Sequence, residues 1–286
     1  MTRSLLQLAL SAACFALPAA IHAGEIDTEH LFTFTMGSDV GEPGEREIET
    51  SSNGRFGKRL GSYAATSHQT ELEYTPIANV RLSGGPIVAY HDISGVDGLD
   101  DRRQAAFQGL TFDMRYRLLE RSARGFGLTV SVEPHWARID EVSGARADQY
   151  GVDVTLAVDH ELVPDRLIAA ANLLWQPDAT RSRVTDVWSR ESTLGVSAAV
   201  MARLASGIFI GGEARYLRRY DGIGPSNFEG YALFVGPSLF ATLSERCWVA
   251  IGWNAQVMGR SVADPAGLDL ANFERHHVRL NFGINF

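Results

Sequence analysis

The chain has 286 residues, a formal net charge of -8, 45% hydrophobic residues and two cysteines. The length suits one large β domain or two small ones, and the acidic balance argues against a nucleic-acid-binding protein, which needs a basic face. Cys14 lies in an N-terminal segment with the pattern of an export signal. Only Cys247 would remain after export, so neither an intramolecular disulfide nor a cysteine metal site is expected.

Residues 1–23 are predicted to be a secretory signal peptide. Arg3 supplies the positive charge, an apolar stretch follows, and Ile-His-Ala precedes Gly24 as a cleavage site. The stretch is too short for a membrane-spanning helix, and no second long apolar run follows it. A lipoprotein anchored through Cys14 is the alternative. Removal of this segment takes away one Arg and no acid, so the charge changes from -8 to -9.

Residues 24–44 are predicted to form an N-terminal arm. Within it the sequence HLFTFTM, which starts at His30, predicts either a short extra strand or a segment folded into the rest of the domain. Glycines and Pro43 then interrupt it. From residue 45 to residue 286, extended runs separated by turn signals repeat. The twelve predicted strands span residues 45–55, 65–77, 79–93, 107–119, 126–139, 149–162, 166–176, 187–204, 207–220, 228–243, 247–258 and 273–286.

The predicted connections alternate between short and long along the whole chain. An up-and-down transmembrane β-barrel has this property, because its periplasmic turns are tight and its outer loops are long. An even number of strands also places both termini on the periplasmic side. The sequence therefore predicts an all-β fold, an antiparallel transmembrane barrel of about twelve strands.

The last predicted strand, FERHHVRLNFGINF, alternates apolar and polar residues with period two. Its apolar face would meet lipid, and its polar face would meet the lumen. It ends on an aromatic residue, Phe286, which is the predicted assembly signal.

Large aromatic residues share the apolar parity of their own strands and lie toward the long-loop ends. This pattern predicts a girdle at one membrane interface. The predicted girdle residues are Tyr90, Trp136, Tyr150, Trp175, Trp188, Tyr216 and Tyr231.

The opposite parity is rich in charge, with acids in the first three strands and arginines in strands four, nine and twelve. Strand twelve closes on strand one, so Arg275 and Arg279 are expected to approach Glu47 and Glu49. Such a network would either plug and stiffen a narrow barrel or create a transverse field that selects charged solutes. The predicted lumen-lining residues are Glu47, Glu49, Glu71, Glu73, Asp113, Arg115, Arg117, Glu133, His135, Glu213, Arg215, Arg275, His277 and Arg279.

No catalytic residue, metal site or cofactor is predicted. Glu133 and His135, two apart on one strand face, are the nearest approach to an acid-histidine protease site, a combination that arises easily by chance. His276 and His277 point to opposite faces of a strand, so they cannot chelate one metal as a pair.

The signal sequence, the alternating strands, the aromatic girdle and the terminal Phe286 resemble the Gram-negative outer-membrane β-barrel superfamily over essentially the whole mature chain. Within it, the segments HLFTFTMGSDVGEPGEREIE and GRFGKRLGSY are loosely similar to uncharacterised proteobacterial barrels, some grouped with transporters of the aromatic-degradation type. The resemblance implies contact with outer-membrane lipid, assembly by the barrel insertion machinery, which would read the last strand, and often passive transport. It carries over no functional residues.

The sequence thus predicts a narrow outer-membrane channel for small polar or charged solutes. The alternatives are an envelope-structural or adhesion barrel that acts through its outer loops and, third, an outer-membrane hydrolase.

Overall fold

The computed structural model describes residues 26–122, 125–265 and 267–286. The predicted signal peptide, residues 1–23, and the first two residues of the predicted arm lie outside the described residues. Within the described part of the chain, no helix is long and apolar enough to cross a membrane.

Twelve antiparallel strands form one closed barrel in sequence order, and β12 pairs with β1. The predicted fold class is confirmed. The strands are β1 (Arg46–Phe56), β2 (Ser62–Ile77), β3 (Val80–Ser94), β4 (Arg102–Leu119), β5 (Gly127–Ile139), β6 (Arg146–Val163), β7 (Leu167–Ser182), β8 (Trp188–Ala205), β9 (Ile208–Asp221), β10 (Asn227–Thr242), β11 (Cys247–Ser261) and β12 (His276–Asn285).

The strand faces follow the period-two pattern with apolar residues outside. On β4, Leu110, Phe112 and Met114 are 48%, 49% and 45% exposed, whereas Asp113 between them is 4% exposed. A soluble barrel would bury the apolar set and expose the carboxylate. An exposed apolar exterior around a charged interior is the arrangement of a barrel that faces lipid.

The chain start of β1 and the chain end of β12 lie at one end of the barrel, called here the terminal end; the opposite end is called the loop end. Two-residue turns join β2 to β3 and β8 to β9 at the terminal end. Asn79 and Gly207 have positive φ values of 69° and 69° there, which two-residue hairpin turns require.

The predicted strict alternation of connection lengths was wrong in detail. The connections at 57–61, 183–187 and 222–226 at the loop end hold five residues each, fewer than the seven of 120–126 at the terminal end. The strands extend further toward the loop end than predicted: β4 starts at Arg102 rather than residue 107, and β7 continues to Ser182 rather than residue 176. The strands are longer than predicted because hydrogen bonding between neighbouring strands continues into segments whose sequence does not alternate apolar and polar residues.

Candidate functional site: a charged lumen that holds the N-terminal arm

The N-terminal arm, described from residue 26 onward, lies inside the barrel at the terminal end. Ile26, Leu31 and Phe32 are 1%, 1% and 4% exposed, and they form an apolar cluster with Ile168 and Met201 of the wall. The sequence left open whether this segment adds a strand or folds into the barrel. The structure has it folded into the barrel, without strand structure.

Asp159 on β6 is the most heavily hydrogen-bonded anchor of the arm. Its carboxylate accepts bonds from the Ser38 amide at 2.7 Å, the Ser38 hydroxyl at 2.8 Å and the Thr28 hydroxyl at 2.7 Å. Arg121, from the β4–β5 connection, donates to the same carboxylate at 2.9 Å and to Asp39 of the arm at 2.9 Å. This buried carboxylate is therefore charge-compensated and saturated with donors, as a buried ion must be.

Two further wall residues hold the middle of the arm through its backbone. Glu213 on β9 accepts bonds from the amides of Thr33 at 2.7 Å and Phe34 at 2.9 Å. Asn172 on β7 accepts from the Met36 amide at 2.6 Å and donates to the Met36 carbonyl at 2.8 Å. These side chains replace the ladder partners that an irregular segment lacks.

His30 of the arm faces Glu47 and Glu49 of β1, with nitrogen–oxygen distances of 3.2 Å and 3.7 Å. Arg81 on β3 contacts Glu73 and pairs with Glu29 of the arm at 2.7 Å. One ligand atom each from His30, Glu47, Glu49 and Glu73 lies within 4.8 Å of the others. Because the guanidinium of Arg81 lies among these carboxylates and supplies the positive charge, we interpret the group as an ion-pair network.

The prediction that Arg275 and Arg279 of the last strand approach Glu47 and Glu49 of the first strand was wrong. Antiparallel register places Glu47 opposite Asn285 and Glu49 opposite Gly283, at the terminal end. Arg279 lies opposite Asn53, four residues beyond Glu49 on β1, and hydrogen-bonds to it. The acids of β1 instead face the arm and Arg81. The physical reason is that the start of one antiparallel strand pairs with the end of the next.

The central section of the lumen lies beyond the tip of the arm and has a basic and an acidic side. On the basic side, the guanidinium groups of Arg215 and Arg279 lie 4.2 Å and 5.2 Å from the ring centre of Phe34. Arg215 donates to the His277 ring at 2.8 Å, and Arg279 donates to the Thr33 carbonyl at 3.1 Å. Neither arginine forms a salt bridge with any carboxylate of the described chain.

On the acidic side, Glu133 and Asp153 are directly opposite each other on β5 and β6. No arginine or lysine of the described residues pairs with either one. Asp153 accepts a bond from Gln176 at 2.7 Å, and His135 lies 2.9 Å from Asp178. The two sides together leave carboxylates on β5–β7 facing arginines on β9 and β12.

The other predicted lumen residues of β2 and β4 have local partners. Glu71 accepts bonds from Ser83 at 3.3 Å and Thr111 at 3.2 Å. Arg115 pairs with Asp113 at 2.7 Å. Arg117 donates to Asn79 at 2.9 Å and lies 3.8 Å from Asp39 of the arm.

The structure does not bring Arg275 into this group. It precedes β12, and its side chain is exposed. The inward position belongs to Glu274, which pairs with buried Lys58 at 3.0 Å and lies 3.2 Å from His277. Burial alone would raise the pKa of Glu274, but the charge of Lys58, the hydrogen bond with His277 and the charge of Arg55 together outweigh burial and hold the pKa below its usual range. This buried pair ties the connection 262–275 to the loop end of the barrel.

A cavity of about 290 Å³ remains at the terminal end between the arm and the wall formed by β8 to β11. Asp27, Glu29 and His30 of the arm line one side, and Arg203 and Trp248 lie among the wall residues. The arm therefore narrows this end without filling it.

The aromatic residues predicted as a girdle are all partly or largely exposed, and several are neighbours across strands. Trp136 lies opposite Tyr150 on β5 and β6, and the rings of Tyr216 and Tyr231 are 5.7 Å apart. Their position at a membrane interface stays a prediction.

Sequence reasoning missed the wall residues that hold the arm, chiefly Arg121, Arg81 and Asn172. Arg81 and Asn172 had an inward parity that could have placed them in the lumen. Nothing in the sequence links them to residues more than fifty positions away in the arm.

A closed twelve-stranded antiparallel barrel with an apolar exterior and a charged lumen defines the class of outer-membrane β-barrels. The chain belongs to the family described as "Family of unknown function (DUF6662)", whose model matches residues 24–286. No curated protein matches the chain by sequence.

Solved structures share the fold at low sequence identity. The COG4313 outer membrane channel from Pseudomonas putida F1 is 11% identical with a TM-score of 0.62, covering 87% of this chain and 98% of that one. The NanC porin is 9% identical at 0.49, covering 84% and 100%, and the Pseudomonas putida toluene transporter TodX is 7% identical at 0.39, covering 85% and 89%. The first comparison supports the barrel fold, and the two lower scores carry no argument about this chain.

Proposed function

We propose that this chain is an outer-membrane channel for small polar or charged solutes, with its N-terminal arm as a partial plug. The observation that supports this most is the lumen itself. The arm narrows the terminal end but leaves a cavity of about 290 Å³ beside it, and the central section beyond the arm is lined with charges. A barrel with a purely structural role would gain more stability from an interior packed with apolar side chains.

The proposal assigns the terminal end to the periplasm and the loop end to the outside. An exported chain inserts from the periplasm, and an even number of strands returns both barrel termini to that side. The arm then narrows the periplasmic exit of the path, and the connection 262–275 narrows its outer entrance.

The opposed charges of the central section would orient and select the solute. Glu133 and Asp153 face the path from one side, and Arg215 and Arg279 face it from the other. A field across a narrow, partly hydrated path favours zwitterionic or dipolar solutes over apolar ones.

Planar-bilayer recordings of the purified chain test the proposal. We expect small, discrete conductance steps whose ion preference changes in Arg279→Gln and in Glu49→Gln. Arg138→Gln is the matched control, because Arg138 is exposed on the outward parity of β5. A correctly folded barrel that never conducts would overturn the channel proposal.

The second candidate is an envelope-structural barrel that acts through its outer loops. The buried Lys58–Glu274 pair favours it, because this pair fixes a loop over the lumen. A folded, non-conducting barrel whose outer loops are required for envelope integrity would support this candidate.

Assembly through the last strand is a separate part of the proposal. Phe286 is 64% exposed, and its amide donates to the Arg46 carbonyl at 3.0 Å, at the closure of the barrel. We expect deletion of Phe286 to reduce insertion by the barrel-assembly machinery. Heat-modifiable migration in gels measures this, and normal insertion of the deleted chain would contradict it.

A further inference from the structure

A cavity on the outer surface lies near the loop end of β9, β10 and β11. It measures about 490 Å³ and is lined by Tyr216, Arg218, Phe228, Tyr231 and Arg260, with residues 261, 262 and 265 at its edge. Tyr216 and Tyr231 belong to the predicted girdle. The cavity is thus distinct from the lumen and opens on the face that would meet lipid.

Three of its residues form a row across neighbouring strands. Tyr231 lies directly opposite Arg218 on β9 and directly opposite Arg260 on β11. Neighbouring strands are about 4.8 Å apart, so the two arginine backbones are about 10 Å apart, with the tyrosine between them. Two long side chains at this spacing can reach one bound anion from both sides.

Both arginines are free to bind a ligand. Neither has a hydrogen bond or an ion pair to any residue that the structure describes, and both are exposed. The guanidinium of Arg218 lies 4.7 Å from the ring centre of Phe228 and 5.5 Å from that of Tyr220. This stacking fixes the plane of the guanidinium while its N–H groups remain available.

Uncompensated arginine on the lipid face of a barrel is unfavourable unless an anion is nearby. At the outer rim, the anions within reach are the phosphate groups of membrane lipid, and two arginines match a phosphate in charge and in donor geometry. The aromatic walls suit the apolar or sugar part of the same molecule.

We propose that this cavity binds one phosphorylated glycolipid of the outer leaflet. Arg218 and Arg260 hold a phosphate, and Tyr216 and Phe228 pack against the adjoining acyl chain or sugar ring. This inference rests on the outer-membrane location in the proposed function, but not on conduction through the lumen.

Native mass spectrometry of the full chain in nonionic detergent provides the test. The probes are a phosphorylated glucosamine-based lipid, the same lipid without phosphate, and inorganic phosphate. The wild type should bind the phosphorylated lipid about tenfold more tightly than the dephosphorylated one, since charge-assisted bonds dominate the contact. The Arg218→Ala, Arg260→Ala double variant should lose this preference.

Arg138→Ala is the matched control, because it removes an exposed, outward-facing arginine that lines no part of this cavity. It should bind like the wild type. Equal binding by the double variant, or an equal loss in Arg138→Ala, would overturn the site. Occupancy by inorganic phosphate as tight as that by the lipid would show a free-anion site instead.

Heat-modifiable migration of every variant controls for folding, and conductance is recorded on the same preparations. A wild type that binds lipid through these arginines but does not conduct would overturn the channel and leave the lipid site standing. A wild type that conducts but binds both lipids equally would overturn the lipid site and leave the channel standing.

Discussion

In the terminal half of the lumen, around the arm, the buried carboxylates Asp159 and Glu213 receive hydrogen bonds from arm residues. In the central section, Glu133 and Asp153 face each other, and Arg215 and Arg279 stack on one phenyl ring without a carboxylate partner. Both regions line the same barrel and carry similar residue types.

The difference shows what each set of charges can do. A charge removed from water needs hydrogen-bond donors, a partner of opposite sign or both. Asp159 has both, and Glu213 accepts bonds from two backbone amides of the arm. Charges without such partners are stable only where water reaches them. We therefore interpret the terminal half as the holder of the arm and the central section as a hydrated path.

Asp159→Ala should have the largest effect. It removes one of the two carboxylates that pair with the buried Arg121 guanidinium, together with the acceptor of three hydrogen bonds from the arm. Loss of one member of a buried pair costs about 3–5 kcal/mol. Urea unfolding in detergent, followed by tryptophan fluorescence, measures the loss.

Asp153→Ala is its matched control on the same strand. Asp153 is not paired with arginine or lysine among the described residues, so its removal should change the free energy of unfolding far less. Equal losses in the two variants would remove the distinction between the two regions.

Glu274→Gln should release the connection 262–275 from the loop end. Because the folded-state pKa of Glu274 is lowered, its contribution is complete above its unfolded pKa and disappears as the pH falls through the folded value. Hydrogen exchange of this connection should therefore stay slow in the wild type at pH 5 and be fast in the variant.

Asp264→Asn tests the same connection at a half-exposed pair with Arg59. Exposed pairs contribute about 0–1 kcal/mol, so exchange should change little. Faster exchange in Asp264→Asn than in Glu274→Gln would contradict the assignment of the buried pair.

Phe34→Ala should loosen the arm tip and raise single-channel conductance. It removes the ring that Arg215 and Arg279 share, which weakens arm docking by about 1–2 kcal/mol. Phe107→Ala, on the outer face, should leave conductance unchanged. A smaller conductance in Phe34→Ala than in the wild type would count against the arm as a partial plug.

Glu133→Gln combined with Asp153→Asn should have the smallest effect on stability but change ion selectivity. Without these charges, the reversal potential in a KCl gradient should shift toward anion preference. Arg215→Gln should shift it toward cations. An unchanged potential in both variants would mean that ions do not pass these walls.

The barrel was predictable from the sequence because period-two alternation states which face each residue takes. The parity placed Glu133, Arg215 and Arg279 on one face of their strands without any structure. The docking of the arm was not predictable, since HLFTFTM suits either a strand or a filling segment. Its choice depends on Asp159, Arg121 and Glu213, which are distant in sequence. The predicted contact of Arg275 and Arg279 with Glu47 and Glu49 was wrong for a simpler reason. The pairing of the last strand with the first was inferred correctly, but the antiparallel register of that pair was not taken into account.

The most direct test of the account locks the arm in place. The hydroxyls of Thr33 and Ser238 are in contact, so a Thr33→Cys, Ser238→Cys pair in a Cys247→Ser background should form a disulfide between arm and wall. Single-channel conductance is then recorded before and after reduction. The account predicts low, steady conductance in the oxidised state and larger, more variable openings after reduction. Identical conductance in the two states would contradict the claim that the arm limits the path.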